Sequence, residues 1–393
     1  MKIGIFDHLS LRVGGAQLVV AQMAANLSQT HQVDVIHSGK GYTLASLARS
    51  FDLDLSGVRE RVVPDSLGSF SMPGKPSTWH YLTRGIQANR HLTRRYDLFI
   101  YSGHGSPPFC FAKQGIAYCH FPFEGKPSQS VETLRRSRQR SAVDRGLRLL
   151  VHDCLWWLRM RRYGTVLANS EYTAAWIQKL WGRKAPVLYP PVSVQVPPGE
   201  KRNVIATLGR FINTDTKNHA LQVSMFKRFL DLCQEGWRLD LIGFCTDLPQ
   251  DRAYLEQLRK TAQGLPVRFI VNAERKVVLD CLAETKIFWH TTALGEEGNL
   301  APEAAEHFGI ATVEAMAAGC VPLVPTSGGQ PEIVQDGVSG FLCRSTEAVI
   351  QCSARLAKDD NLRAGMAQRA KERSQQFGPI AFAKGLHEVI SSC

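Results

Sequence analysis

Short apolar segments alternate with longer helical segments along this chain of 393 residues. The first half contains five apolar segments, at residues 2–7, 33–37, 97–101, 115–119 and 165–169. The second half contains four more, at residues 204–208, 238–242, 267–271 and 286–290. Strands that alternate with helices form parallel sheets, because the chain has to cross back over the sheet before the next strand begins. The sequence therefore predicts an α/β fold with two Rossmann-like domains.

Prolines mark the boundary between the two halves, at Pro186, Pro190, Pro191, Pro197 and Pro198. Proline continues neither a helix nor a central strand, so this stretch is predicted to be an interdomain linker. The chain length also favours two domains over one. We predict a first domain at residues 1–190 and a second at residues 191–372.

The composition is that of a globular protein, with 44% apolar residues and no repeat or low-complexity tract. Asp7 interrupts the first apolar residues, so no secretory signal peptide is predicted, and no run of eighteen apolar residues predicts a transmembrane helix. The ten cysteines are scattered without a C-x-x-C pair or a zinc-ligand spacing. This pattern favours reduced thiols in a cytoplasmic protein.

The net charge of +12 is distributed unevenly along the chain. Residues 1–190 carry 25 Lys and Arg against 12 Asp and Glu, whereas the remainder carries 22 against 23. A basic half favours an anionic partner, such as a lipid phosphate, an acidic membrane surface or nucleic acid.

Residues 135–162 contain nine arginines and two acids, interleaved with leucines and two tryptophans. This composition is typical of an interfacial membrane helix, and arginines also suit a diphosphate through bidentate hydrogen bonds. The candidate acceptor or membrane contacts are Arg135, Arg136, Arg138, Trp156 and Trp157. Two alternatives stay open: the aromatics pack in the core with the arginines in solvent, or the segment binds nucleic acid, for which no recognisable module is present.

Two carboxylates, Glu306 and Glu314, lie eight residues apart in a stretch that predicts a loop leading into a buried helix near Ile310. The start of a helix leaves backbone N–H groups unpaired at its positive end, here around Phe308, Gly309 and Ile310, which suits a phosphate. Glycine at position 309 is expected to let a ligand approach the backbone closely. The alternative is that both glutamates are ordinary acids near a helix start.

This stretch resembles the E-x7-E signature of the retaining glycosyltransferases of family four, which adopt the GT-B fold. The resemblance continues position by position from Ala315 to Leu342 and extends more weakly over nearly the whole chain. It implies two Rossmann-like domains facing a central cleft, with residues 373–393 crossing back as a helix to the first domain. Residues 168–181 and 187–192 resemble most the mannosyltransferases that extend lipid-linked oligosaccharides on the cytosolic membrane face.

The resemblance also implies roles for single residues. Glu306 would contact hydroxyls of the transferred sugar, Glu314 the ribose, and Arg210 with Lys217 the donor diphosphate. The other donor contacts implied are the pair Gly14 and Gly15, the helix start at 308–310, and the backbone near Val271 and Asn272. His120, in a His-aromatic-Pro sequence after a strand, matches the position that contacts the sugar. The catalytic set is therefore predicted to be Glu306, His120, Arg210 and Lys217.

The two cations suit the negative charge that builds on the leaving phosphate, so neither a metal nor another cofactor is predicted. We expect a peripheral cytoplasmic enzyme that moves a hexose, best mannose from GDP-mannose, to a lipid-linked or other anionic acceptor. One alternative is a soluble glycosyltransferase that uses a UDP-sugar on a small molecule or glycan. Another is a nucleotide-sugar-binding protein without catalysis. No nucleic-acid partner is predicted.

Overall fold

The computed structural model describes residues 1–8, 13–64, 86–105, 107–123, 142–233, 236–295 and 301–392, with only the backbone for 142–149 and 151–152. The chain divides into two compact units. The first consists of Met1–Pro191 together with Phe382–Cys393, and the second is Val192–Ala381.

The first unit contains one six-stranded parallel sheet in the order β3-β2-β1-β4-β5-β6. Its strands are β1 Lys2–Asp7, β2 Gln32–His37, β3 Val58–Val62, β4 Leu98–Gly103, β5 Gln114–Cys119 and β6 Thr165–Ala168. Its helices are α1 Gly15–Ser28, α2 Leu44–Phe51, α3 Ile86–Thr93, α4 Ala142–Arg161 and α5 Glu171–Trp181.

The second unit repeats this plan with the order β12-β11-β10-β7-β8-β9, again with parallel pairs. Its strands are β7 Arg202–Leu208, β8 Arg238–Gly243, β9 Val267–Val271, β10 Thr285–Trp289, β11 Val321–Pro325 and β12 Phe341–Cys343. Its helices are α6 His219–Leu230, α7 Pro249–Thr261, α8 Arg275–Glu284, α9 Ile310–Ala317, α10 Gln330–Ile333, α11 Thr346–Lys358 and α12 Asp360–Ser374. Two parallel sheets covered by helices confirm the predicted α/β class.

Three strands are absent from the sequence prediction. β3 was missed because Arg59, Glu60 and Arg61 make this edge strand charged. β11 contains two prolines, which usually argue against an internal strand, yet all five of its residues are buried. β12 has only three residues and pairs solely with β11 among the described strands.

The C-terminal segment is not the single helix predicted for residues 373–393. Helix α12 ends at Ser374, a short 3-10 turn covers Gln375–Phe377, and helix α13 spans Pro379–Ser391. The prolyl ring at the first position of α13 suits a helix start and separates it from the turn before it. Phe382 and Leu386 of α13 are buried in the core of the first unit beside Ile3 and Leu188.

Hydrophobic packing fixes the helices on both sheets. In the first unit, Val19, Met23 and Leu27 of α1 pack on strand residues such as Ile5 and Ile100. In the second unit, Phe226 and Phe229 of α6 pack with Trp289 of β10. In the part of the chain that the structure describes, no helix is long and apolar enough to cross a bilayer.

Candidate active site

Lys217 and Glu306 form the centre of the candidate site in the second unit. The Lys217 Nζ donates to Glu306 Oε2 in a short ion pair, and each side chain is about three-quarters buried. The stem of Lys217 lies over Gly209, directly after β7, where the Cβ of any larger residue would approach the lysine Cγ to 2.7 Å. The structure thus brings together two residues that the sequence predicted for one site, although 89 positions separate them.

The surroundings keep Glu306 ionised and its histidine neighbours neutral. Burial, the largest single effect, would raise the pKa of Glu306, but the charge and hydrogen bond of Lys217 together with the two neighbouring histidines lower that pKa to about 2. His290 Nε2 lies 3.6 Å from Glu306 Oε2, and burial together with the nearby Lys217 lowers the pKa of His290 to about 4. Burial likewise lowers the pKa of His307 to about 4. At neutral pH the cluster therefore holds one cation and one anion.

A buried hydrogen-bond network fixes the loop that carries Lys217. Gln222, on α6, donates to Thr291 Oγ1 at 2.7 Å, and that hydroxyl donates to the Lys217 carbonyl oxygen at 2.9 Å. Asn218 Nδ2 donates to the Thr291 carbonyl oxygen at 2.7 Å. Thr291 follows β10, so these bonds tie the loop after β7 to the loop after β10 at the carboxyl edge of the sheet.

The helix that carries Glu314 begins at Ile310, as predicted, with Gly309 at its N-cap. The structure gives a different reason for this glycine. Its φ is 121°, and a Cβ here would overlap the Nε2 of Gln330. Gln330 is buried, donates to the Phe308 carbonyl oxygen at 3.2 Å and accepts from Thr312 Oγ1 at 2.9 Å. Gly309 is therefore required by packing of the protein itself, whereas the sequence argument required it for a ligand.

The loop that contains Gly328 and Gly329 packs against the backbone of Glu306. Gly329 donates its N–H to the Glu306 carbonyl oxygen at 2.8 Å. A Cβ at Gly328, where φ is 69°, would overlap that same oxygen, and one at Gly329 would lie 2.6 Å from the His307 carbonyl oxygen. Only glycines allow the two backbones to approach this closely.

Glu314 is paired with an arginine that sequence reasoning missed. Its carboxylate is almost fully buried, and Arg275 Nη2 lies 2.7 Å from Glu314 Oε1. Arg275 is the first residue of α8, just beyond the carboxyl end of β9. Its position after a buried strand was the signal that could have identified it, because side chains at such positions gather at the ligand-binding edge.

Arg210, Val271 and Asn272 also lie at this edge. Arg210 is exposed and makes no ion pair with any residue that the structure describes. Val271 is the last residue of β9. The Asn272 side chain bridges to the segment after β8, because it accepts from Cys245 N at 2.8 Å and donates to Cys245 O at 3.1 Å. The side-chain amide and the backbone N–H of Asn272 are thus both bonded within the protein, the N–H to the Gly243 carbonyl oxygen at 2.9 Å.

The remaining predicted contacts belong to the first unit. Gly14 is the N-cap of α1 and Gly15 its first residue, and both are exposed. His120 follows β5, is buried, and has its Nε2 2.9 Å from the Ser102 hydroxyl at the end of β4. These residues therefore lie at the helix start and the strand ends where the sequence predicted them.

The basic, tryptophan-rich segment divides between core and solvent. Trp156 is buried with Met160 and Tyr163, which corrects its assignment as an acceptor or membrane contact. Trp157 is 50% exposed. Arg135, Arg136 and Arg138 lie outside the described residues.

No group of three or more His, Cys, Asp and Glu side chains is placed to hold a metal ion within the described ranges. The groups that the structure does place at this edge are a lysine, two arginines, two largely buried carboxylates and a helix start. Such a set binds and orients a ligand that carries both phosphates and hydroxyl groups.

Comparison with known proteins identifies the two units. The family model described as Glycosyltransferase Family 4 matches residues 13–196, and the one described as Glycosyl transferases group 1 matches residues 192–373. Together they extend over nearly the whole chain.

Among curated proteins, the chain is 30% identical to mouse (Mus musculus) GDP-Man:Man(3)GlcNAc(2)-PP-Dol alpha-1,2-mannosyltransferase, over 58% of this chain and 49% of the mouse protein. It is 28% identical to the Neurospora crassa protein of the same name, over 81% of this chain and 66% of that protein. The chain thus spans about half the length of the mouse relative.

Among solved structures, Anabaena HepE in complex with UDP and glucose superposes with a TM-score of 0.70 at 17% identity, over the full length of both chains. WaaG, a glycosyltransferase involved in lipopolysaccharide biosynthesis, superposes with a TM-score of 0.63 at 14% identity, also over both full chains. These likenesses show the fold. With two parallel-sheet units, an intact E-x7-E stretch and both family models matched, the chain belongs to the family-four, group-1 glycosyltransferases of the GT-B fold.

Proposed function

We propose that this glycosyltransferase moves mannose from GDP-mannose to a lipid-linked oligosaccharide at a cytosolic membrane face, with retention of configuration and without a metal ion. The named activity of its curated relatives supports the donor and the acceptor. The main structural support for the donor site is the ion pair between Lys217 and Glu306, next to the helix that contains Glu314.

In this proposal the cations act on the leaving group. Transfer forms a bond between an acceptor oxygen and the anomeric carbon, and it breaks the bond between that carbon and the donor diphosphate. The acceptor proton passes to an oxygen of the departing phosphate. Arg210 and Lys217 stabilise the charge on this phosphate, and each such preorganised group contributes about 3 kcal/mol to lowering a barrier.

The carboxylates hold the donor. Glu306, with a pKa of about 2, is permanently an acceptor for sugar hydroxyl groups at neutral pH. Because its charge is already compensated by Lys217, Glu306 suits orientation of the sugar better than nucleophilic attack. Glu314 is oriented by Arg275, and its carboxylate is proposed to accept from the ribose hydroxyls. His120 and the Gly14–Gly15 pair are proposed to contact the transferred sugar from the first unit.

A second candidate is transfer from a UDP-sugar to a small molecule or glycan. It is favoured by the full-length structural likeness to a protein solved with UDP and glucose. The two candidates differ in the nucleotide, so nucleotide binding separates them directly. A nucleotide-sugar-binding protein without catalysis differs from both in forming no product.

The test is thermal stabilisation by GDP, UDP, ADP and their sugar conjugates, with and without EDTA. We expect GDP and GDP-mannose to raise the melting temperature independently of EDTA, because ligand at a hundred times its Kd adds about 2.7 kcal/mol of stability. Glu314→Ala should abolish this shift. Glu256→Ala is the matched control, since Glu256 is also helical and lies 2.7 Å from an arginine nitrogen, but on the surface.

A shift with UDP alone would favour the second candidate, and a shift that EDTA removes would contradict metal independence. Product formation with GDP-mannose and a short-chain lipid-diphosphate oligosaccharide then tests catalysis. The anomeric configuration of the product, measured by NMR, tests retention. Binding without any product on either acceptor class would contradict the proposed activity.

A further inference from the structure

Helix α4 exposes an apolar stripe along one face. Leu150 is 62% exposed, Trp157 50% and Leu158 47%, and Cys154 between them is exposed as well. These positions are separated by four, three and one residues, so they lie on one side of a helix with 3.6 residues per turn. Together with Arg161, these residues form the α4 surface.

The opposite face of the same helix is firmly packed, so the stripe does not result from a loosely placed helix. Trp156 and Met160 are buried among Tyr163, Val166 and other core residues. Arg159 is also buried, with its guanidinium 5.7 Å from the centre of the Phe109 ring. This packing fixes the rotation of α4 and directs the stripe away from the core.

Positive charge adjoins the stripe at the end of α4. The Arg161 guanidinium lies 4.3 Å from the centre of the Trp157 ring. Beyond it opens a cavity of about 440 Å³, at the first residues of β5 and β6, whose lining includes Lys113, Arg161 and Arg162. Asp97 pairs with Lys113 at 2.7 Å, and Arg162 donates to the Cys110 carbonyl oxygen at 3.0 Å. Arg161 makes no ion pair with a described residue, so its charge can attract an external anion. No carboxylate lines the cavity among the described residues.

We propose that the α4 surface lies in the headgroup region of an anionic lipid bilayer. Leucine and tryptophan side chains beside arginines are the composition that binds this region, with apolar groups at the acyl boundary and cations at lipid phosphates. The inference extends the proposed use of a membrane-borne acceptor, but it does not depend on donor or acceptor binding.

The test measures co-sedimentation of the full chain with phosphatidylcholine vesicles, with or without phosphatidylserine, in the absence of nucleotide. We expect binding only with phosphatidylserine. Trp157→Gln and Leu158→Gln should each weaken the partition coefficient about tenfold, and Arg161→Gln about fivefold. The matched controls are Leu232→Gln, at a leucine 40% exposed in the second unit, and Arg355→Gln, at an exposed arginine that also lies in the last turn of its helix. Both controls should bind as the unaltered chain does.

A second measurement leaves the leucines, the tryptophan and the arginine of the α4 surface unaltered. An environment-sensitive fluorophore on Cys154 should shift its emission to the blue on anionic vesicles and not on neutral ones. Absence of that shift, absence of vesicle binding, or loss of binding equally in the controls would overturn the inference. So would a change of oligomeric state in the Trp157 and Leu158 variants, since the surface would then be a contact between copies. Nucleotide stabilisation of the same variants reports the donor site separately.

Discussion

At the scale of single residues, the site depends on positions where only one side chain fits. Gly309 combines a φ of 121° with a neighbour, Gln330, that occupies the space of a Cβ. Glycine adopts such a backbone without strain, whereas other residues store strain there. The sequence argument assigned this glycine to a ligand, whereas the buried glutamine that packs against it lies 21 positions further on and only the fold brings it near.

Gly309→Ala should therefore destabilise the protein by about 2–4 kcal/mol, through backbone strain and overlap with Gln330. The measurement is equilibrium unfolding in urea. Gly365→Ala is the control, because Gly365 lies inside helix α12 with only the Arg369 side chain nearby. That change should leave stability equal or raise it by about 0.5–1 kcal/mol. Equal effects of the two substitutions would contradict the packing argument.

At the scale of elements, the site is built where the loops after β7 and β10 meet. Gln222 connects them, since its Nε2 donates to the Lys217 carbonyl oxygen at 3.3 Å and to Thr291 Oγ1 at 2.7 Å. Thr291 in turn holds the Lys217 backbone. The position of the Lys217 ammonium group thus depends on a residue of α6 that itself touches neither Glu306 nor the expected ligand.

Gln222→Met should lower kcat by about tenfold to a hundredfold, because a loosened lysine is less well placed for the leaving phosphate. As a positioning residue, it should affect kcat more than the affinity for GDP measured by calorimetry. The measurement is steady-state kinetics with GDP-mannose. Ser224→Ala, on the same helix but exposed, should leave both quantities unchanged. A purely structural role would reduce stability while kcat of the folded fraction stayed normal.

At the scale of the whole molecule, the stability of the fold is predicted to depend on acidity. Burial holds the pKa of both His290 and His307 near 4, while an unfolded histidine titrates near 6.5. Below about pH 6.5 the unfolded chain therefore binds protons that the folded chain does not, so the free energy of unfolding decreases as the pH falls towards 4. Glu306 adds to this loss at lower pH, as its stabilising charge is lost between about pH 4.5 and pH 2.

The two histidines together should lower the free energy of unfolding by several kcal/mol between pH 6.5 and 4, with each contributing up to about 3 kcal/mol. Urea unfolding followed across this range checks the slope. His307→Gln should flatten it by about half, whereas His91→Gln, at an exposed histidine of α3, should not. An unchanged slope in the His307 variant would show that the acid sensitivity lies elsewhere.

Much of the architecture follows from local pattern. The bounds of β1 and β9 agree with their apolar segments to the residue, and the other predicted strands differ by one or two residues. The exceptions share a cause. β3, β11 and β12 are strands because neighbouring strands pair with them, and their own sequences contain charges, prolines or too few residues to show it.

Local pattern also explains which site residues were predicted. Glu306, Glu314, Lys217 and the helix start carry their signals in adjacent residues, so the sequence could propose them. Arg275 was missed because its local signal, a position shortly after the strand β9, is weak, and its partner Glu314 is distant in the chain. Trp156 and Trp157 have the same composition around them, and only the rotation of α4 places one in the core and the other in solvent.

The sequence by itself determined the α/β class and the two-domain plan, and it indicated the proposed donor residues, because these depend on periodicity and on residues close together in the chain. The tertiary structure alone decided the partners: Lys217 with Glu306, Arg275 with Glu314 and Gln330 with Gly309. Tertiary packing also places helix α13 in the hydrophobic core of the first unit, although the preceding helix α12 belongs to the second unit. Contacts between distant positions arise from the packing of whole sheets and helices, and no local stretch of sequence contains that information.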